Sequence, residues 1–161
     1  MSGSGISDAD RRAHTAIVDA EDAPSRYGER PITEVAVGVL VDPQGRFLLT
    51  SRPAGKVYAG FWEFPGGKVE AGETPESALI RELREELAIE VAGACLAPAT
   101  FASHPLGDKH LVLLLYVCRK WGGTPRPLAA SALRWVKPVA MHALEMPPAD
   151  KPLPALLEAL I

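Results

Sequence analysis

An α/β fold with a mixed β-sheet between helices is the architecture that this sequence predicts, and three observations predict it. Val35, Val37, Val39 and Val41 alternate with smaller residues, the period of a strand. His110 to Cys118 is an almost continuous apolar run, the signature of a central strand buried on both faces. Ile80, Leu83 and Leu87, and later Leu153, Leu156, Leu157 and Leu160, recur at helical spacing. Strand and helix patterns interleave along the chain, so the helices cover the sheet rather than pack alone.

The chain has 161 residues, with 47% hydrophobic and 23% charged, an ordinary balance for a soluble globular protein. Its net charge of −3 supplies no basic footprint, so a nucleic-acid polymer is not an expected partner. No apolar run nears the roughly 20 residues of a membrane span, and no membrane partner is expected. Met1 to Arg30 reads as a polar, flexible extension, with a short helix possible over Asp8–Asp19 and Ser7 as its cap. Its first residues lack the basic and apolar regions of a secretory leader. A cytoplasmic location is the expectation. Cys95 and Cys118 fit free buried thiols, with a disulfide as the alternative.

The main domain is expected over residues 31–161. Thr33 to Val41 is its first strand, Asp42-Pro43-Gln44-Gly45 a turn, and Arg46 to Ser51 the returning arm of a hairpin. Residues 53–60 read as a loop, and Trp62-Glu63-Phe64 as a short strand. Gly66-Gly67 offers backbone that turns tightly and lets a ligand approach closely. A loop from Lys68 to Glu73 leads into a helix with Thr74 as N-cap and Pro75 at its first position. Glu90 to Phe101 reads as extended and irregular, and Pro105 to Lys109 as a loop before the apolar strand. Leu133 to Val136 is a further strand, Pro138 to Leu144 a short helix, and Pro152 to Ile161 the last helix.

The polar face of the Pro75 helix carries the chemistry. Glu82, Glu85 and Glu86 stand at i, i+3 and i+4, on one side of the helix. Arg81 can pair with Glu85, but one arginine does not neutralise three glutamates. Either the run is a solvated charged face, or it holds a hard divalent cation such as Mg²⁺ or Mn²⁺, which prefers carboxylate oxygens. A glycine pair, a helix N-terminus and a carboxylate cluster in one stretch favour a site for phosphate and metal.

The stretch from Gly67 to Ile89 resembles the Nudix box, G-x5-E-x7-R-E-U-x-E-E-x-G-U with U aliphatic. Gly67, Glu73, Arg81, Glu82, Leu83, Glu85, Glu86 and Ile89 occupy its defined positions. Ala88 departs, standing where the family has the glycine that ends the helix in a left-handed conformation. The resemblance implies a Nudix-type α/β/α sandwich. Arg52, the run from Trp62 to Lys68, Asp108-Lys109-His110 and Met146 to Asp150 extend it towards the MutT-type branch, over about Glu34 to Ile161.

That branch implies hydrolysis of a nucleoside triphosphate, notably 8-oxo-dGTP, to monophosphate and pyrophosphate. It implies metal held by Glu82, Glu85, Glu86 and the Gly66 carbonyl, and catalysis by these glutamates with Arg81 orienting them. Glu82 is the first candidate for the base. Arg52, Lys68, Gly67 and Asp150 would bind the nucleotide. His104, His110, Phe61 and Trp62 are lesser candidates, each equally readable as structural. Two features depart from the branch. Ala129-Ala130-Ser131 replaces a Glu-Gly-Gln loop, a loss that Asp108 could offset, and Asp150 replaces a base-reading asparagine. The alternatives are another nucleoside diphosphate-linked substrate, a pyrimidine triphosphate, or a weakened nucleotide-sensing domain. A monomer or weak homodimer is expected.

Overall fold

The computed structural model describes residues 31–161, and the expectations for Met1–Arg30, the Asp8–Asp19 helix included, lie outside the described residues. The strands are β1 (Ile32–Leu40), β2 (Phe47–Ser51), β3 (Trp62–Glu63), β4 (Gly66–Lys68), β5 (Leu96–Leu106), β6 (Lys109–Cys118) and β7 (Leu133–Val136). The helices are α1 (Pro75–Leu87) and α2 (Leu153–Leu160), with 3₁₀ segments at Gly93–Cys95 and Pro138–Ala143. One sheet has the order β4-β1-β6-β5, the other β3-β2-β7. The first is mixed: β1 runs parallel to β6 and antiparallel to β4, and β5 is antiparallel to β6.

The alternation along β1 divides the core into two. Val37, Val39 and Val41 face a cluster with Phe47, Leu49, Leu113, Met146, Leu153 and Leu157, on the side of α2. Ala36 and Leu40 face Leu79, Leu83, Leu87 and Ile89, on the side of α1. Apolar layers on both faces explain why the C-terminal halves of β1 and β6 lack an exposed polar stripe. Gly38 marks a close contact of β1 with the helix Pro75–Leu87: a Cβ there would stand 3.4 Å from both Leu79 Cδ1 and Leu83 Cδ2.

Four expectations need correction. First, β1 and β2 do not form a laddered hairpin. The Asp42 turn joins them, with one bridge at Val41–Phe47, but β2 pairs with β3 and β7 in the other sheet. Every residue of β2 is buried, which a strand sandwiched between layers requires and an edge hairpin does not. Second, Gly66-Gly67-Lys68 is not a loop but a strand on the edge of β1. Third, the loop before β6 shrinks to Gly107-Asp108, since Pro105 pairs with His110 and Leu106 with Lys109. Prolines are tolerated there because β5 is an edge strand, bulged between Pro98 and Thr100. Fourth, the Pro138 segment is 3₁₀, and the strand at Trp62 stops at Glu63. Cys95 and Cys118 are both free thiols. No helix among the described residues is long and apolar enough to cross a membrane.

Helix α1 begins and ends as its sequence dictates. Thr74 Oγ1 accepts from Ser77 N at 3.1 Å, while Ser77 Oγ accepts from Thr74 N at 3.0 Å, a reciprocal cap with Pro75 inside it. At the other end Ala88 adopts φ 58° and ψ 32°, the left-handed conformation, and donates its N–H to Arg84 O. A Cβ in that region costs about 1–2 kcal/mol. Ala88→Gly is therefore expected to stabilise the protein by about 1 kcal/mol, read as a higher denaturant midpoint at unchanged slope.

Candidate active site

The site starts from β4 lying against both β1 and α1. Gly66 has φ 148°, and a Cβ there would stand 2.1 Å from Ala36 O, so only glycine fits against the sheet edge. A Cβ on Gly67 would stand 2.3 Å from the carboxyl carbon of Glu82. These glycines are thus required by close approach rather than by a turn. The approach brings Gly66 N within 3.3 Å of Glu86 Oε2, to which it donates.

Arg81 organises the rest of the helix face. Its Nε and Nη2 grip Glu73 at 2.8 and 2.9 Å, a two-point pairing. Its Nη1 reaches Glu82 Oε1 at 2.9 Å and Glu85 Oε2 at 3.4 Å, and Nη2 also donates to Lys68 O at 3.3 Å. The Arg81 bonds, joined by the Glu70 N–H, pull the Glu73 carboxyl down to a pKa of about 2. Arg81 is thereby a positioning group enclosed by carboxylates.

Glu86 has no such counter-charge. Burial first, and the nearby Glu82 charge second, push its pKa up to about 8. Glu85 faces outward, with 60% of its side chain exposed and Arg81 as its ion-pair partner. Among the described residues no three carboxylate, imidazole or thiolate groups converge to ion-binding distance, so the expected convergence is partial. The donor set nevertheless suits a hard divalent cation: oxygens only, with a Glu86 carboxyl that lacks a cationic partner and that burial and the Glu82 charge keep protonated until a cation arrives. Glu82 and Glu86 are the neighbouring carboxylates that could hold one, whereas Glu85 is turned to Arg81.

Two cavities meet at Glu86. The larger, about 610 Å³, has apolar walls from Val35, Leu111 and Leu113, and polar groups from Arg52, Lys68, Glu63 and Asp150. Gly66, Gly67 and Glu86 close one part of it. Asp150 is not a side-chain cap of α2, whose N-cap is Pro152. It is buried, only 9% exposed, and burial, with the Glu63 charge, raises its pKa to about 7 against the pull of Arg52. The smaller cavity, about 310 Å³, shares Arg52, Glu63 and Glu86, and adds Ser51, Lys56, Ala129 and Ala130. The two alanines thus leave open space beside Glu86. Asp108 cannot supply the missing carboxylate, because it sits exposed in the β5–β6 turn and lines neither cavity.

The aromatic candidates are rearranged. Trp62 packs against the core with the Arg134 guanidinium 5.8 Å from its ring, and Phe61 stands 5.4 Å from Tyr58. Neither lines a cavity, whereas Val57 and Tyr58 do. His104 lines the larger cavity and His110 does not. Sequence reasoning missed Glu63, Val57 and Tyr58. The signal for Glu63 was a charged residue between Trp62 and Phe64 in a strand, where period 2 sends it to the opposite face.

Comparison with known proteins converges on one family. A family model described as "NUDIX domain" matches residues 36–156. The 8-oxo-dGTP diphosphatase of Escherichia coli K12 is 35% identical over 127 residues, covering 79% of this chain and 97% of that protein. The CTP pyrophosphohydrolase of the same strain is 37% identical over 119 residues, covering 73% and 85%. The solution structure of the E. coli ORF135 protein superposes with a TM-score of 0.72 at 33% identity, covering 81% of this chain and 91% of that one.

The Glu86 environment makes a direct prediction. The folded pKa of about 8 lies above the ordinary 4.5, so the native state holds a proton that the unfolded chain releases, and stability falls as pH rises between these values. In metal-free protein Glu86→Gln should raise the melting temperature above pH 8 and leave it unchanged near pH 4. Its amide oxygen keeps the Gly66 N–H bond. Thermal melts at both pH values in chelator check this.

Proposed function

The chain belongs to the Nudix family as a MutT-like hydrolase of phosphoric anhydride bonds, and from that premise we propose how its cleft acts on a nucleoside triphosphate. Oxidised purine nucleotides such as 8-oxo-dGTP are the leading substrates, cleaved to monophosphate and pyrophosphate in the cytoplasm. The single observation that carries this reading is the larger cavity: apolar walls with one buried carboxyl, continuous with the Gly66-Gly67 strand and Glu86. An apolar slot with few polar groups suits a base, and the glycine strand lets a polyphosphate lie close to backbone.

Nudix hydrolases generally need a divalent metal. Glu82, Glu86 and the Gly66 carbonyl, with Glu85 after rotation, are the groups proposed to hold Mg²⁺ or Mn²⁺. Such an ion supplies charge neutralisation on the polyphosphate and activation of water. The chain's own residues do the remainder. Arg52 and Lys68, both on the wall of the larger cavity, offer donors to phosphate oxygens. Gly67 removes the side chain that would separate substrate from Glu82. Glu82, held by Arg81 Nη1, is the proposed proton acceptor from the attacking water.

Asp150 is the proposed reader of the base. As an acid it both donates and accepts, matching the adjacent O6 acceptor and N7–H donor of an 8-oxoguanine. Ionised, it only accepts, and fits the exocyclic amino group of cytosine. This carboxyl favours a second reading in which CTP or dCTP is the substrate, and the relative named CTP pyrophosphohydrolase supports it.

Nucleotide hydrolysis with Mg²⁺ or Mn²⁺, followed with and without inorganic pyrophosphatase, tests the reaction. Phosphate release that depends on pyrophosphatase is expected. Direct release of phosphate, or no turnover of any triphosphate, would sink the reading. The ratio of kcat/KM for 8-oxo-dGTP over CTP is expected to fall as pH rises through about 7, where Asp150 loses its proton. Asp150→Asn should make that ratio flat with pH.

A further inference from the structure

One carboxylate at the cleft has no role in the scheme above. Glu63 stands on β3 opposite Thr50 of β2, and its carbonyl accepts from Thr50 Oγ1 at 3.4 Å. Its side chain lines both cavities. Glu63 Oε2 accepts from Arg52 Nη1 at 3.0 Å, each side chain being 27% exposed. The same guanidinium donates through Nε to Val57 O at 2.7 Å. A fixed chain of contacts therefore runs from β3, through Arg52, to the loop at Val57.

The tip of that loop is what the Arg52 guanidinium holds. Val57 is 71% and Tyr58 43% exposed, so burial does little to hold either. Tyr58 has φ 60°, a strained conformation for a residue with a Cβ. Backbone bonds from Gly60 N to Arg52 O and from Arg52 N to Phe61 O close the base of the loop at 2.9 Å, and the Arg52 guanidinium holds its tip at Val57 O. Both residues nonetheless form part of the wall of the base cavity.

We propose that Glu63 is a positioning residue for base selection: it fixes the Arg52 guanidinium, which in turn fixes the Val57–Tyr58 wall of the cavity that Asp150 lines. The inference rests on the nucleotide reading above. Its placement is not that of a bystander ion pair. Burial lifts the Glu63 carboxyl above its usual range despite Arg52, and its charge reaches Glu86 and Asp150. Gathering three carboxylates works against folding and is found where a cleft has work to do.

The test compares binding of two products, 8-oxo-dGMP and dCMP, by titration calorimetry, together with kcat and KM for the two triphosphates. Glu63→Gln should change the ratio of the two Kd values by about tenfold, the scale of a lost pocket contact. It should move KM far more than kcat. Arg52→Met should shift the ratio by the same factor, and the double variant no further, because both act through one contact chain. Glu63→Asp, which keeps the charge, should return the ratio to within about threefold of the starting protein. Melting curves establish that each variant is folded. An unchanged Kd ratio with kcat lost would put Glu63 at the reacting phosphate instead. An unchanged ratio with unchanged kinetics would leave only a surface ion pair. If no triphosphate is hydrolysed but the Kd ratio still shifts, the reaction fails and this proposal stands. If neither monophosphate binds, both fall.

Discussion

The Arg81 guanidinium is the interaction on which the cleft depends. Of the carboxylates on or beside this part of the fold, Arg81 reaches three: Glu73, Glu82 and Glu85. Glu63 is held by Arg52, and Glu86 has no cationic partner, only the Gly66 N–H and the neighbouring Glu82 carboxyl. The uneven distribution of positive charge therefore sets the chemistry. Glu73 is fixed as an anion, whereas Glu86 keeps its proton past neutrality until something positive arrives. A carboxylate cluster that fully neutralised itself would have little affinity left for a cation.

The second constraint is distance between backbone and side chain. β4 occupies the gap between β1 and α1 only because two of its three residues lack a Cβ. Its edge position leaves it on the wall of the larger cavity, beside Glu86. Thus the glycines serve packing and the site together, and the same substitution would damage both.

Helix α1 was legible almost to the residue, because caps and apolar periodicity are local signals. Thr74, Pro75 and the left-handed Ala88 all act as their neighbours dictate. The family was equally legible, since the spacing from Gly67 to Ile89 is long and specific, and the family model covers it. Sheet membership was not. A strand reads the same in either sheet, so the Asp42 turn suggested a hairpin while the burial of all of β2 sent it elsewhere. The cleft's remaining parts were hidden for a related reason. Glu63, Glu86 and Asp150 are neighbours only because the fold joins β3, α1 and the segment before α2. Asp150 carries no local mark of its burial, and the exposed loop that holds Tyr58 looks like any other.

The parallel pairing of β1 with β6 has a kinetic consequence. Ile32 is in register with His110 and Leu40 with Cys118, so the centre of the sheet joins distant parts of the chain. Such a contact closes a large loop, and it forms late unless the intervening segment has already condensed. The intervening segment contains β4 and α1, which pack on β1. The carboxylate helix can therefore dock while the far wall of the cavity, from Leu111 and Leu113 on β6, is still absent. During biosynthesis the acidic half of the cleft would precede its apolar half, and the nascent chain would expose the apolar face of β1 until β6 emerges.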